Sequence, residues 1–101
     1  SLPLKRELAA RADREIERAL KWWIEHRQDS PALLSDEIGE YFDKLKMSPS
    51  LGEPWGMRRG KEIRRVLLPR TKKQLYVMRP DPNTVRVICF WGGQRGREPK
   101  L

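Results

Sequence analysis

Apolar residues recur every three or four positions along residues 9–27, and this spacing predicts an amphipathic helix. Trp22 falls beside the apolar stripe, where it either forms a shoulder of the core or packs against a partner. The same spacing predicts a second helix over residues 31–46. The two stripes comprise Ala12, Ile16, Ala19, Leu20, Trp23 and Ile24, and then Leu34, Ile38, Tyr41, Phe42 and Leu45. Because the connection is short, we expect an antiparallel helical hairpin.

Three later runs are rich in the β-branched and aromatic residues that favour strands. They cover residues 61–69, 72–80 and 83–91, and short connections join them. Connections of this length predict two successive hairpins and an antiparallel meander. The third run is apolar on both faces, so we expect it to be central in the sheet or otherwise well covered.

The remaining segments complete a single α+β domain over residues 1–101. Residues 2–8 predict a short edge strand, since the proline at position 3 is tolerated only at an edge or an end. Residues 48–60 hold two prolines and three glycines, which predicts a connection without regular structure. The expected element order is β-α-α-β-β-β, with the helical hairpin packed on one face of a small antiparallel sheet.

The net charge of +8 is concentrated in one half of the chain. Residues 1–57 carry 9 Lys or Arg and 11 Asp or Glu, a net charge of −2. Residues 58–101 carry 13 Lys or Arg and 3 Asp or Glu, a net charge of +10. A negatively charged partner, either nucleic acid or an acidic protein, is therefore expected to meet the second half.

Composition also restricts where the protein is expected to act. No apolar run approaches the ~20 residues that span a bilayer, and the N-terminal residues lack the apolar core of a signal peptide. The single cysteine, Cys89, excludes an internal disulfide and lies in an apolar run, where we expect a buried, inert thiol. These features predict a cytoplasmic protein without membrane contact.

Cationic side chains surround the predicted meander, and two aromatic residues lie among them. The cations are Arg64, Arg65, Arg70, Lys72, Lys73, Arg79, Arg86, Arg95 and Arg97, and the aromatic residues are Tyr76 and Trp91. Guanidinium groups are planar forks suited to phosphate or carboxylate, and aromatic rings between them can stack on bases. The set predicts either a binding surface for an anionic partner or a soluble basic surface with packed arginine stems.

The basic half of the chain offers little for proton transfer. It contains no histidine, only three acidic residues, and Tyr76 as its one tyrosine. The acidic residues of the second helix, Glu37 among them, mostly face away from its stripe, so we expect solvated carboxylates. No metal-ligand cluster, P-loop or dinucleotide-binding turn is present in the sequence. We expect no metal and no cofactor, and the residues favour a function without catalysis.

Two segments carry a resemblance to a known family. RRVLLPRTKKQLYVMR (64–79) and VRVICFWGGQRGREPKL (85–101) resemble the RelE/ParE superfamily of bacterial type II toxins, most closely its ParE, plasmid-stabilisation branch. The ribonuclease members generally carry a tyrosine or histidine near their C-terminal end, and this tail has neither. Gln94 stands where the family usually has arginine or histidine. The matching residues are Arg64, Arg65, Pro69, Arg70, Tyr76, Trp91, Arg95, Gly96, Arg97 and Pro99.

The resemblance implies the toxin of a toxin–antitoxin pair. Such a toxin arrests growth by inhibiting DNA gyrase and is neutralised by a cognate antitoxin, through which the complex binds operator DNA. The implied target- or antitoxin-binding residues are Trp22, Arg64, Arg65, Arg70, Tyr76, Arg79, Trp91, Arg95 and Arg97.

Two alternatives stay open beside the gyrase inhibitor. One is an mRNA endonuclease, either ribosome-dependent or free. In it, Arg65, Arg79 and Arg95 hold the scissile phosphate, and Tyr76 or Lys72 moves protons. The other is a non-toxic basic domain that binds nucleic acid.

The tail after Trp91 is too short for a disordered arginine-glycine segment, and it follows directly on a predicted strand. We expect it to fold back as the end of the sheet, with Arg95 and Arg97 near the other cations. Its glycines permit the tight turns that this path requires.

Overall fold

The computed structural model describes residues 2–92 and 97–101, which form two helices and a five-stranded sheet. The strands lie in the order β1-β5-β4-β3-β2. β1 pairs with β5 in parallel, and every other neighbouring pair is antiparallel. The elements are β1 (Lys5–Leu8), α1 (Ala10–His26), α2 (Leu33–Met47), β2 (Glu53–Arg58), β3 (Lys61–Leu68), β4 (Lys73–Met78) and β5 (Thr84–Trp91).

The α+β class, both helices and the meander of β3, β4 and β5 are confirmed. The predicted element order is wrong in one place, because residues 53–58 form β2 where a connection was expected. Pro54 is accommodated because β2 lies at the edge of the sheet, and the register shifts between Pro54 and Gly56. The sheet is also mixed, not purely antiparallel, since β1 pairs in parallel with β5.

The main core lies between the two helices and one face of the sheet. Ile16 and Trp23 from α1 and Leu34, Ile38 and Leu45 from α2 are buried in it. They pack against Val66, Leu68, Leu75, Val77, Val85, Val87 and Phe90 of the sheet. The predicted stripes are confirmed by this packing except at the end of α1, where the side chain of residue 24 is 57% exposed.

A second, smaller cluster lies on the sheet face opposite the helices, which we call the open face. Ile63, Tyr76, Ile88 and Cys89 are buried there. Leu101 packs against this cluster, and Pro99 beside it is buried. Residues 97–101 thus return to the sheet as predicted, but they form no strand of it, and residues 93–96 lie outside the described residues.

The turn between β3 and β4 is fastened to α2 by a buried carboxylate. Glu37 is fully buried and accepts hydrogen bonds from the backbone N–H groups of Arg70 and Thr71, each at 2.9 Å. The Thr71 hydroxyl donates to it at 2.8 Å. The expectation of a solvated carboxylate is therefore wrong at this position. Glu37 lies where α2 faces the turn, and its oxygens satisfy donors that would otherwise be buried and unpaired.

Candidate functional site

The open face brings together three of the predicted binding residues. Arg65 of β3 lies opposite Tyr76 of β4, and Trp91 of β5 lies opposite Gln74 of β4. Residues 74 and 76 point to the same face because side chains alternate along a strand. The Tyr76 hydroxyl donates to the Gln74 side-chain carbonyl at 3.2 Å, and the Trp55 ring meets the Tyr76 ring edge-on at 5.2 Å.

The Arg65 guanidinium is already neutralised from within the chain. It donates twice to the Glu53 carboxylate, from Nε at 2.9 Å and from a terminal nitrogen. Glu98, from the returning tail, lies 3.8 Å away. Hydrogen bonding to Glu53 raises the pKa of Arg65, and burial opposes this rise only in part. Arg65 is therefore a permanently charged group with a rigid orientation.

Tyr76 is a phenol that keeps its proton. Burial raises its pKa above the ordinary value, and the hydrogen bond with Arg65 lowers it only in part. The ring is completely buried, with 0% of the residue exposed. Tyr76 at neutral pH is thus a hydrogen-bonding and packing group, and its protonated state disfavours a role as general base.

Three other predicted arginines lie apart from this group, each bound to acceptors of the chain itself. Arg64 donates to the backbone carbonyls of Leu51 and Gly52 at 3.2 and 2.7 Å, on the helix side of the sheet. Arg70 lies in the β3–β4 turn, 3.3 Å from Glu37 and 3.2 Å from Glu40. Arg79 follows β4 and donates to the carbonyl of Pro82 at 2.6 Å. The basic set is thus distributed around the sheet.

Trp22 forms a separate exposed patch on α1. Its ring is 46% exposed and stacks on His26 with centroids 4.4 Å apart. The ammonium group of Lys73 lies 6.0 Å from the ring. Burial lowers the pKa of Lys73, and the charge of Arg27 lowers it further. This patch therefore presents an aromatic surface beside cations.

The other predicted residues are placed as follows. Lys72 adopts a left-handed backbone conformation, with φ of 62°, in the β3–β4 turn. The backbone carbonyl of Arg97 accepts a hydrogen bond from the indole N–H of Trp91 at 3.3 Å, so that residue does reach the open face. Arg95 lies outside the described residues. The residues proposed for phosphate cleavage are therefore not assembled into one site within the described part of the chain.

Sequence reasoning missed the cations of the β2–β3 turn. Arg58 and Arg59 belonged to the segment expected to be an unstructured connection. The sequence did contain a signal for a hairpin here, because an Arg59–Gly60 pair between two alternating runs is compatible with a two-residue β-hairpin turn. The neighbouring glycines and prolines obscured it.

The described residues form an α+β domain whose open face carries Arg65, Tyr76 and Trp91. No family model, curated protein or solved structure matches the chain. Neither helix of the described chain is long and apolar enough to cross a membrane. Residues 2–92 and 97–101 include no group of three or more His, Cys, Asp or Glu side chains placed to hold a metal ion.

Proposed function

We propose that this chain is the toxin of a type II toxin–antitoxin pair, of the ParE kind, and that it arrests growth by docking on DNA gyrase. The resemblance of residues 64–79 and 85–101 to that family supports the proposal. The observation that favours docking over RNA cleavage is the state of Arg65 and Tyr76. The first is paired with Glu53 and the second holds its proton, so neither is arranged to transfer a proton.

A cognate antitoxin would neutralise this toxin by covering the same surfaces. An acidic segment complements residues 58–101, whose net charge is +10. The exposed Trp22 ring offers a second contact of the amphipathic kind that is enriched at protein interfaces. Operator DNA would be bound through the antitoxin part of the complex.

The test is induction of the chain alone in a bacterium, with supercoiling and newly formed RNA ends measured in the same cells. We compare the wild type with Tyr76→Phe, which removes only the phenol hydroxyl and its 3.2 Å hydrogen bond to Gln74. Tyr41→Phe is the matched control, because Tyr41 packs in the helix-side core.

Gyrase inhibition predicts lost supercoiling or DNA breaks with intact transcripts, and it predicts little change for either variant. Cut transcripts that disappear in Tyr76→Phe but persist in Tyr41→Phe would instead establish the endonuclease. Induction without growth arrest, together with nucleic-acid affinity that falls steeply with salt, would favour the non-toxic binding domain.

A further inference from the structure

A cleft lined by four arginines lies at one end of the open face. Its volume is ≈ 360 Å³, and Met78 and Ile88 form part of its apolar floor. Met78 stands four residues along β4 from Gln74, which is opposite Trp91. At the rise of an extended strand this is roughly 13 Å, so the cleft lies away from Trp91, while Tyr76, two residues from Met78 on the same face, lies next to it. The arginines are Arg11, Arg58, Arg59 and Arg86.

Two of the four arginines are held by carboxylates. Arg86 donates to Glu7 at 2.9 Å, and Arg11 lies 3.3 Å from Glu15. Arg11 also donates to the backbone carbonyl of Lys100. These contacts neutralise two of the positive charges and fix the positions of both guanidinium groups.

The other two arginines leave the cleft with excess positive charge. Within residues 2–92 and 97–101, neither Arg58 nor Arg59 has a carboxylate oxygen within 4.0 Å. Among the side chains, the four cations that line the cleft and the two carboxylates paired with them leave an excess of two positive charges. That excess matches a phosphate dianion, whose oxygens accept from planar guanidinium forks.

The backbone of the β2–β3 turn holds Arg59 in a conformation that is unfavourable for a residue with a β-carbon. Arg58 pairs with Lys61, and the two residues between them, Arg59 and Gly60, have φ of 51° and 77°. Such a turn favours asparagine or glycine at its first central position. A left-handed conformation costs a residue with a β-carbon roughly 1 kcal/mol or more. Strain of this kind clusters at functional sites, and here it carries a cation into an anion-sized cleft.

We propose that this arginine cleft binds a phosphate group. Arg58 and Arg59 donate hydrogen bonds to the phosphate oxygens. Arg11 and Arg86, which their carboxylates hold in place, add positive charge around the phosphate. The apolar floor at Met78 and Ile88 accommodates the group that carries the phosphate. That group is either a free small molecule or a nucleotide of a nucleic-acid chain, and this inference does not depend on the proposed toxin function.

The experiment is an NMR titration of the full chain that follows the arginine Nε–H signals. Sodium phosphate, pyrophosphate and a ten-nucleotide single-stranded DNA are added separately, with sodium chloride at matched ionic strength as reference. Arg58→Gln removes one charge, and Arg59→Asn removes the other while relieving the left-handed strain. Arg18→Gln, on the exposed side of α1, is the control for net charge.

We expect saturable shifts of the cleft arginines, at least tenfold weaker binding in Arg58→Gln and Arg59→Asn, and unchanged binding in Arg18→Gln. Because Arg59→Asn should be as stable as the wild type or more so, its loss of binding cannot be ascribed to unfolding. Saturation by phosphate or pyrophosphate identifies a free ligand, and saturation by the oligonucleotide alone identifies a nucleic-acid chain. Shifts no larger than those with chloride, or equal losses in all three variants, would overturn the proposal.

Discussion

Glu37 is the residue whose replacement tests most directly how this surface is assembled. It is fully buried, and its two oxygens accept four hydrogen bonds from Arg70 and Thr71. Three of the four donors are the two backbone N–H groups and the threonine hydroxyl. They remain in place when the arginine side chain is removed, so the carboxylate should matter far more than its ion pair with Arg70.

The magnitude follows from the donors that each variant leaves unpaired. In Glu37→Ala the two donors of Thr71, a residue only 6% exposed, lose their acceptor, and a buried unpaired donor costs about 1–3 kcal/mol. With the cavity added, we expect a loss of about 4 kcal/mol in the free energy of unfolding. Glu37→Gln keeps one carbonyl but turns an NH₂ group towards the donors of Arg70, and we expect about 2 kcal/mol.

The assay is urea unfolding followed by tryptophan fluorescence at pH 7. Glu40→Gln is the matched control, because this carboxylate is 46% exposed and pairs with Arg70 and Lys44 on the surface. Surface pairs contribute about 0–1 kcal/mol, and Arg70→Ala should fall in the same range. Equal destabilisation by Glu37→Gln and Glu40→Gln would refute the buried-acceptor argument.

The dependence on pH provides an independent check. Burial raises the pKa of Glu37, but the hydrogen bonds from Arg70 and Thr71 outweigh it, so the net pKa is lowered. A lowered pKa means that ionised Glu37 stabilises the fold above its unfolded pKa of about 4.3. The difference between wild type and Glu37→Gln should therefore be complete at pH 7 and shrink as the pH falls below about 4. A constant difference down to pH 3 would contradict this reasoning.

Two further predictions concern the packing of the sheet. Gly52→Ala should destabilise the fold by about 2 kcal/mol or more in the same urea assay, since φ is +87° and an added β-carbon would lie 2.5 Å from the Arg65 carbonyl oxygen. Gly56→Ala is the control, because no atom lies within 4 Å of its added β-carbon. Equal losses of stability in the two variants would refute the clash. Burial and the nearby Glu15 carboxylate raise the pKa of Cys89 to about 12. A thiol reagent at pH 8 should therefore modify Cys89 only at the rate at which the fold opens, and rapid modification without urea would show that the thiol is accessible.

Local patterns were sufficient to predict several features of this protein. The helical stripes follow from apolar residues that recur every three to four positions, the three strands of the meander from runs rich in β-branched and aromatic residues, and the buried Cys89 from its place in an apolar run. Such a pattern depends only on the geometry of one segment and on the removal of apolar side chains from water. Which of the alternating side chains share the face opposite the helices, Arg65 and Tyr76 among them, was shown only by the strand pairing.

The features that long-range pairing decides were not predictable in this way. β1 joins β5 in parallel across Lys5 and Thr84, and β2 became a strand because β3 offered it a partner. The helical stripe of α2 likewise gave no indication that Glu37 would be buried against the β3–β4 turn, 33 residues along the chain.

The pairing of charged side chains was likewise decided by the tertiary structure, because the partners come from distant parts of the chain. Arg65 is neutralised by Glu53, and Arg86 by Glu7, a residue 79 positions away along the chain. Arg58 and Arg59 obtain no such partner within the described residues. A sequence shows how many cations a chain carries, but the free energy of each depends on which carboxylates folding brings within a few ångströms.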